Sequence, residues 1–92
     1  MRVHVNVSLE GMSVNEAFEG SSADDIVGKM KARVARELSF PMKMVVNGMS
    51  SLSFAQEVVR RYNSLKKLML PLPASCQEFL TLAQAQGLAS VE

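Results

Sequence analysis

The chain has 92 residues, and its 48% hydrophobic and 21% charged composition is that of a globular domain rather than a disordered or fibrous protein. A single cysteine excludes an internal disulfide, and one histidine with one cysteine excludes a closed zinc site of those ligands. The longest apolar stretch, residues 68–73, is far shorter than the ~20 residues of a membrane span. Because no secretory signal pattern precedes the first strand, we expect one cytoplasmic domain over residues 1–92.

The net charge of +1 hides a strong asymmetry along the chain. Residues 1–28 carry one basic and five acidic residues, residues 29–73 carry nine basic and two acidic, and residues 74–92 carry two acidic only. Such asymmetry is typical of a basic binding face, although folding can also interleave the two signs. The candidate face for an anionic partner consists of Lys29, Arg33, Arg36, Lys43, Arg60 and Arg61.

A strand hairpin is predicted at the start of the chain. Apolar residues at every second position from Val3 to Leu9 alternate with the polar residues Arg2 to Ser8, a period of two that predicts a half-buried strand over residues 2–9. A similar pattern predicts a second strand over residues 12–19. The intervening Glu10-Gly11 dipeptide predicts a tight turn between the two strands.

A helix and a third strand are predicted next. Ser22 is an N-cap candidate, and apolar residues at helical spacing predict an amphipathic helix over residues 23–38. Pro41 closes this helix, and alternating Met and Val over residues 42–46 predict the third strand. Asn47-Gly48 then predicts a turn.

The remainder of the chain is predicted to be mainly helical. Ser53 with Gln56 resembles a capping box and predicts a helix over about residues 54–67. Residues 68–72 fit either a short edge strand or an extended crossing. Ser75 caps a last helix, about residues 76–86, which Gly87 ends.

The order hairpin, helix, strand resembles the β-grasp of the ubiquitin-like superfamily. Residues 1–5 are similar to its opening strand, residues 22–26 to its capped helix start, and residues 44–48 to its third strand with a closing Gly. The resemblance covers residues 1–50, and residues 51–92 form a helical C-terminal part that departs from it. It implies an α+β fold, β-grasp-like with two further C-terminal helical segments. The Gly-Gly tail of ubiquitin-like modifiers is not in this sequence, so we expect no conjugation chemistry.

No catalytic, metal or cofactor site is predicted, because no acid–base or nucleophile set, phosphate loop or dinucleotide fingerprint is visible. His4 is expected to be exposed on the polar side of the first strand. Cys76 fits either a reactive thiol at a helix start or a small apolar residue at a cap. The methionines fit either core filling or an adaptable groove, and those considered are Met12, Met30, Met42, Met44, Met49 and Met69.

Two functions remain in view. The first is a non-enzymatic protein–protein interaction module or complex subunit, and a homodimer is one form of it. Its candidate apolar patch is Leu68, Met69, Leu70 and Leu72. The alternative is a nucleic-acid-binding accessory domain that uses the basic residues, although the sequence has few aromatic residues for stacking on bases.

Overall fold

A three-stranded antiparallel sheet lies against four helices in the computed structural model, which describes residues 1–9 and 11–92. Within these residues the elements are β1 (Arg2–Leu9), β2 (Met12–Glu19), α1 (Ala23–Ala35), α2 (Phe40–Asn47), α3 (Ser51–Lys66), α4 (Cys76–Ala85) and β3 (Ala89–Val91). The sheet order is β2-β1-β3. The predicted α+β class is confirmed.

The hairpin is confirmed with the predicted strand limits. Strands β1 and β2 pair in antiparallel register from Arg2 opposite Glu19 to Leu9 opposite Met12. Val3, Val5, Val14 and Phe18, on one face of the hairpin, are buried, as the period of two requires. Gly11 has a φ of +80°, a conformation that glycine adopts without steric cost. The Glu10 half of the predicted turn lies outside the described residues.

Helix α1 begins where the sequence predicts and ends three residues early. The Ser22 hydroxyl accepts a hydrogen bond from the Asp25 backbone N–H at 3.1 Å, as an N-cap does. The side chains of Ile26 and Val27 are completely buried and anchor the helix on the sheet. The helix ends at Ala35 instead of residue 38, because the N–H groups of Glu37 and Leu38 bond three residues back, to the carbonyls of Val34 and Ala35, and tighten the last turn.

The predicted third strand is wrong, because residues 42–46 belong to helix α2. Pro41 lies in the first turn of this helix, where a missing N–H removes no helical hydrogen bond. Short apolar runs fit helix and strand equally well, and Met42 and Val46 are also one helical turn apart. Gly48 forms no hairpin turn; its N–H donates to the Met44 carbonyl at 3.1 Å and ends α2. The ubiquitin-like resemblance stays a prediction.

Helix α3 begins one turn earlier than predicted. Its N-cap is Ser50, whose hydroxyl accepts from the Ser53 backbone N–H at 3.0 Å, so the capping box at Ser53 is wrong. The helix ends at Lys66, and Lys67 takes a left-handed conformation with a φ of 55°. Lys67 thereby reverses the chain direction.

The chain after Lys67 runs back along α3 without forming a strand. The Asn63 side-chain amide makes two hydrogen bonds to the backbone of Leu70, and the Gln56 side-chain amide donates one to the Pro73 carbonyl at 2.9 Å. The seven-residue step from Gln56 to Asn63 along the helix covers about 10.5 Å, and the three-residue step from Leu70 to Pro73 covers about 10 Å if that segment is extended. The two distances agree, so both hydrogen bonds can form only when residues 70–73 are extended. Of the two predicted alternatives, the extended crossing is confirmed and the edge strand is wrong.

The C-terminal residues complete the sheet. Helix α4 spans Cys76–Ala85 with Ser75 as its N-cap, one residue shorter than predicted. Gly87 follows with a φ of +75° and leads into β3, which the sequence analysis did not predict. Strand β3 pairs antiparallel with β1, with Val91 opposite Val3. Helices α3 and α4 both contact α1, so one core joins residues 1–50 and 51–92.

Candidate functional site

An apolar cavity of about 540 Å³ lies between the sheet and the helices. Its floor is formed by the inward-facing residues of the hairpin, Val5, Val7 and Val14. These side chains point to one side because alternate residues of a strand share a face. The cavity lies toward the hairpin end of the sheet, because Val7 and Val14 form the pair next to Ser8 and Ser13.

Helices α1 and α4 form opposite walls of the cavity. The wall from α1 includes Met30 and Val34, and the wall from α4 includes Leu82 and Ala83, all in the C-terminal halves of their helices. The two helices also contact each other, and Asp24 in the first turn of α1 contributes to the raised pKa of the Cys76 thiol at the start of α4. Phe79 and Leu80, in the N-terminal half of α4, also line the cavity, so it extends along most of that helix.

Helices α2 and α3 complete the enclosure. Helix α3 contributes Phe54, Val58 and Tyr62, and α2 contributes Met42 and Val45. Three of the methionines singled out in the sequence line the cavity, namely Met30, Met42 and Met49, whereas Met44 and Met69 do not. Met12 cannot be assigned, since its side chain lies outside the described part of the structure.

The polar groups of the cavity lie on α3 and after α4. Glu57 accepts hydrogen bonds from the Arg60 and Arg61 guanidinium groups, each at 3.2 Å. The side chains of Tyr62 and Gln86 also line the cavity, and within the described residues neither makes a side-chain hydrogen bond. No unpartnered side-chain nitrogen or oxygen is buried in the described part of the chain, so these two groups remain accessible.

A continuous apolar face of α2 points to solvent. Phe40 is 72% exposed, Met44 is 61% exposed and Val45 is 55% exposed, whereas Val46 is the one buried residue of this helix. Phe40 and Met44 are four residues apart and therefore lie on the same face. We name Phe40, Met44 and Val45 the α2 face. Exposed large apolar residues that lie together are typical of interaction sites.

The predicted apolar patch is divided by the structure. Leu68, Met69 and Leu72 are exposed, with Met69 at 97%. Leu70 instead packs against the core and lines the cavity. The orientation of Leu70 is fixed by Asn63, whose amide donates to the Leu70 carbonyl and accepts from its N–H, both at 3.0 Å.

The predicted basic residues are spread over α1, α2 and α3, and most of them are paired with carboxylates. Lys29 lies 3.8 Å from Asp25, and Arg60 and Arg61 share Glu57. Arg33 contacts both Glu16 and Glu37, and these carboxylates raise the pKa of its guanidinium. Among the described residues, Arg36 and Lys43 make no ion pair.

The titratable residues do not form a chemical centre in the described structure. His4 lies on the solvent side of the sheet, opposite Ala17 and Ser90. Burial, with a contribution from Asp24, raises the pKa of the Cys76 thiol to about 11, so the thiol is protonated at neutral pH. Across residues 1–9 and 11–92, no three His, Cys, Asp or Glu side chains are grouped as a metal site would need.

No protein-family model, curated protein or solved structure matches this chain. Over the described residues, no helix combines the length and hydropathy needed to cross a bilayer. The cavity and the α2 face are the two features of the molecule that suit a binding role. The sequence pointed to the cavity only through its methionines, since the lining residues come from all seven elements, whose packing no local pattern specifies.

Proposed function

We propose that this chain is a non-enzymatic interaction module that binds another protein. The observation that carries the proposal is the α2 face: an eight-residue helix that buries only Val46 and directs Phe40, Met44 and Val45 to solvent. A partner that buried one of these side chains completely would gain roughly 1.5–3 kcal/mol of binding free energy from it. Two other exposed apolar residues, Met69 and Leu72, offer a second contact region on the segment after α3.

The nucleic-acid alternative has weaker support. Four of the six predicted basic residues lie within 4 Å of a carboxylate, which lowers the positive potential that phosphates would meet. The sheet face that is open to solvent carries His4, Asn6 and Asn15, and among the described residues it has no Phe, Tyr or Trp on which a base would stack. We also propose the cytoplasm as the compartment, in keeping with a single unpaired cysteine.

Site-specific photo-crosslinking tests the proposal on the full chain. A benzophenone amino acid replaces Met44 in one variant and Ser13, an exposed residue of the polar sheet face, in the matched control. Both variants are irradiated in producing cells and as purified protein at low and high micromolar concentrations. We expect discrete protein adducts at position 44 and none at position 13; a self-adduct in the purified sample identifies a homodimer.

Three other results would contradict the proposal. Absence of adducts at position 44 in every sample removes the α2 face as a binding surface. Equal adducts at positions 44 and 13 show nonspecific capture. Adducts only to nucleic acid favour the alternative, and a benzophenone at position 43 in place of Lys43 then tests whether the basic residue beside the α2 face contacts phosphate.

A further inference from the structure

We infer that the apolar cavity is a binding site for a single-chain amphiphile, an alkyl chain that ends in one oxygen-containing hydrogen-bonding group. Fatty acids and fatty alcohols share this chemistry. The site lies between the sheet and the helices, and Val45 is the one residue that it shares with the α2 face. Three observations carry the inference: the volume of the cavity, the uneven distribution of its polar groups, and the way in which α2 covers it.

The volume is unusual for a chain of 92 residues. Protein interiors are close-packed, and voids larger than a water molecule are few. A cavity of about 540 Å³ lies within the range of roughly 300–1,000 Å³ that is typical of small-molecule sites. Apolar cavities of this kind stay dry and accept apolar compounds in place of water.

The distribution of polar groups selects the chemistry of the ligand. The floor and the α1 wall offer only aliphatic and thioether groups, as at Val5, Val7 and Met30. The polar lining residues are Glu57, Arg61, Tyr62 and Gln86. Glu57 and Arg61 are paired with each other, whereas Tyr62 and Gln86 supply accessible hydrogen-bonding groups that make no side-chain hydrogen bond within the described residues. A ligand with polar groups along its whole length would leave them unpaired, so the site fits an apolar chain with one polar end.

Helix α2 is the wall of the cavity that can be displaced most easily. It contributes Met42 and Val45 to the lining, and its only fully buried side chain is Val46. The methionines Met30, Met42 and Met49 have flexible side chains that adapt to chains of different shape. A ligand therefore enters by displacing one short helix with a single anchor, while the sheet, α1 and α3 keep their packing.

A chain-length series tests the inference by calorimetry on the intact protein. The probes are the saturated carboxylates from hexanoate to hexadecanoate and the matching alcohols, each kept below its critical micelle concentration. Affinity is expected to rise about fourfold with each CH₂, the ratio that corresponds to ~0.8 kcal/mol of buried methylene, and then to stop rising when the cavity is full. Affinity that keeps rising without a limit is surface adsorption and overturns the proposal, as does the absence of saturable binding.

Two variants on α4 separate the cavity from the protein surface. Ala83→Phe places a ring into the lining, whereas Ala85→Phe places the same ring on the exposed side of the same helix. We expect Ala83→Phe to weaken dodecanoate binding at least tenfold and Ala85→Phe to leave it unchanged, with circular dichroism to verify folding. Equal binding by both variants overturns the assignment of the site.

Methyl NMR of the wild-type protein gives a second measurement that needs no cavity variant. Addition of dodecanoate is expected to shift the methyl signals of Met30, Met42 and Met49, and to leave that of the exposed Met69 in place. Tyr62→Phe is expected to weaken binding about fivefold, the effect of one hydrogen bond, without a change in the dependence on chain length. Shifts confined to Met69 would overturn the proposal.

Discussion

Replacing Asn63 with alanine isolates the hydrogen bonds that hold the segment after Lys67 against α3. The Asn63 amide makes two bonds to the backbone of Leu70, both at 3.0 Å, and both groups are partly buried. Each bond is worth about 0.5–1.5 kcal/mol, which gives a loss of roughly 1–3 kcal/mol. Alanine favours the helix over asparagine by up to ~0.7 kcal/mol, so we expect a net loss of about 1–2 kcal/mol in the free energy of unfolding.

Urea unfolding followed by circular dichroism measures this loss. The matched control is Ser64→Ala, which changes an exposed neighbour on the same helix and breaks no described side-chain hydrogen bond. We expect the urea midpoint to fall for Asn63→Ala with no change in the m-value, because the fold and the surface it buries are kept. If Asn63→Ala and Ser64→Ala differ by less than about 0.5 kcal/mol, the amide does not hold the segment, and the reasoning fails.

Three further predictions concern single residues. The folded state raises the pKa of Cys76 from 9.0 to about 11, so the thiol ionises first in the unfolded chain, and we expect the free energy of unfolding to fall by about 2 kcal/mol as pH rises from 9 to 11; Cys76→Ala should not show that part of the decline in urea titrations. In thermal unfolding, Ser50→Ala should lower the stability of the protein by about 1 kcal/mol and Ser53→Ala by clearly less, because Ser50 is the N-cap of α3. A larger loss for Ser53→Ala would show that Ser53 is the N-cap instead. Lys67→Gly should raise the melting temperature because the left-handed conformation at φ 55° costs a non-glycine residue about 1 kcal/mol, whereas Lys66→Gly, inside α3, should lower it.

The sequence was most informative where one pattern extends over many residues and one face is buried. The hairpin has eight residues in each strand, so the period of two is unambiguous and its limits were predicted to the residue. The amphipathic pattern of α1 and the caps Ser22 and Ser75 were equally local signals. Each of these features depends on groups within one turn or one strand of each other.

The errors fall where local preference is weak and distant contacts decide. Five apolar residues at 42–46 fit either period, and packing against α1 decides for the helix. Strand β3 has only three residues, Ala89–Val91, too few to establish a period of two, and it forms by pairing with the free edge of β1 at Val3 and Val5. The cavity depends on the relative placement of seven elements, which no local pattern in the chain encodes.

The antiparallel pairing of β3 with β1 has a mechanical consequence. Val91 lies opposite Val3, and the Glu92 N–H donates to the Arg2 carbonyl at 2.8 Å, so residues 1 and 92 leave the sheet at the same end. In an antiparallel pair the hydrogen bonds are perpendicular to the strands, and a force that separates these two residues acts along the bonds. The bonds then carry the load one after another, from Arg2 to the Asn6–Leu88 bond, instead of all together. When residues 1 and 92 are pulled apart, we expect the hydrogen bonds between β1 and β3 to break one at a time at low force. When the hairpin and β3 are pulled in opposite directions along the strands, we expect the same bonds to be loaded together in shear and to resist a higher force.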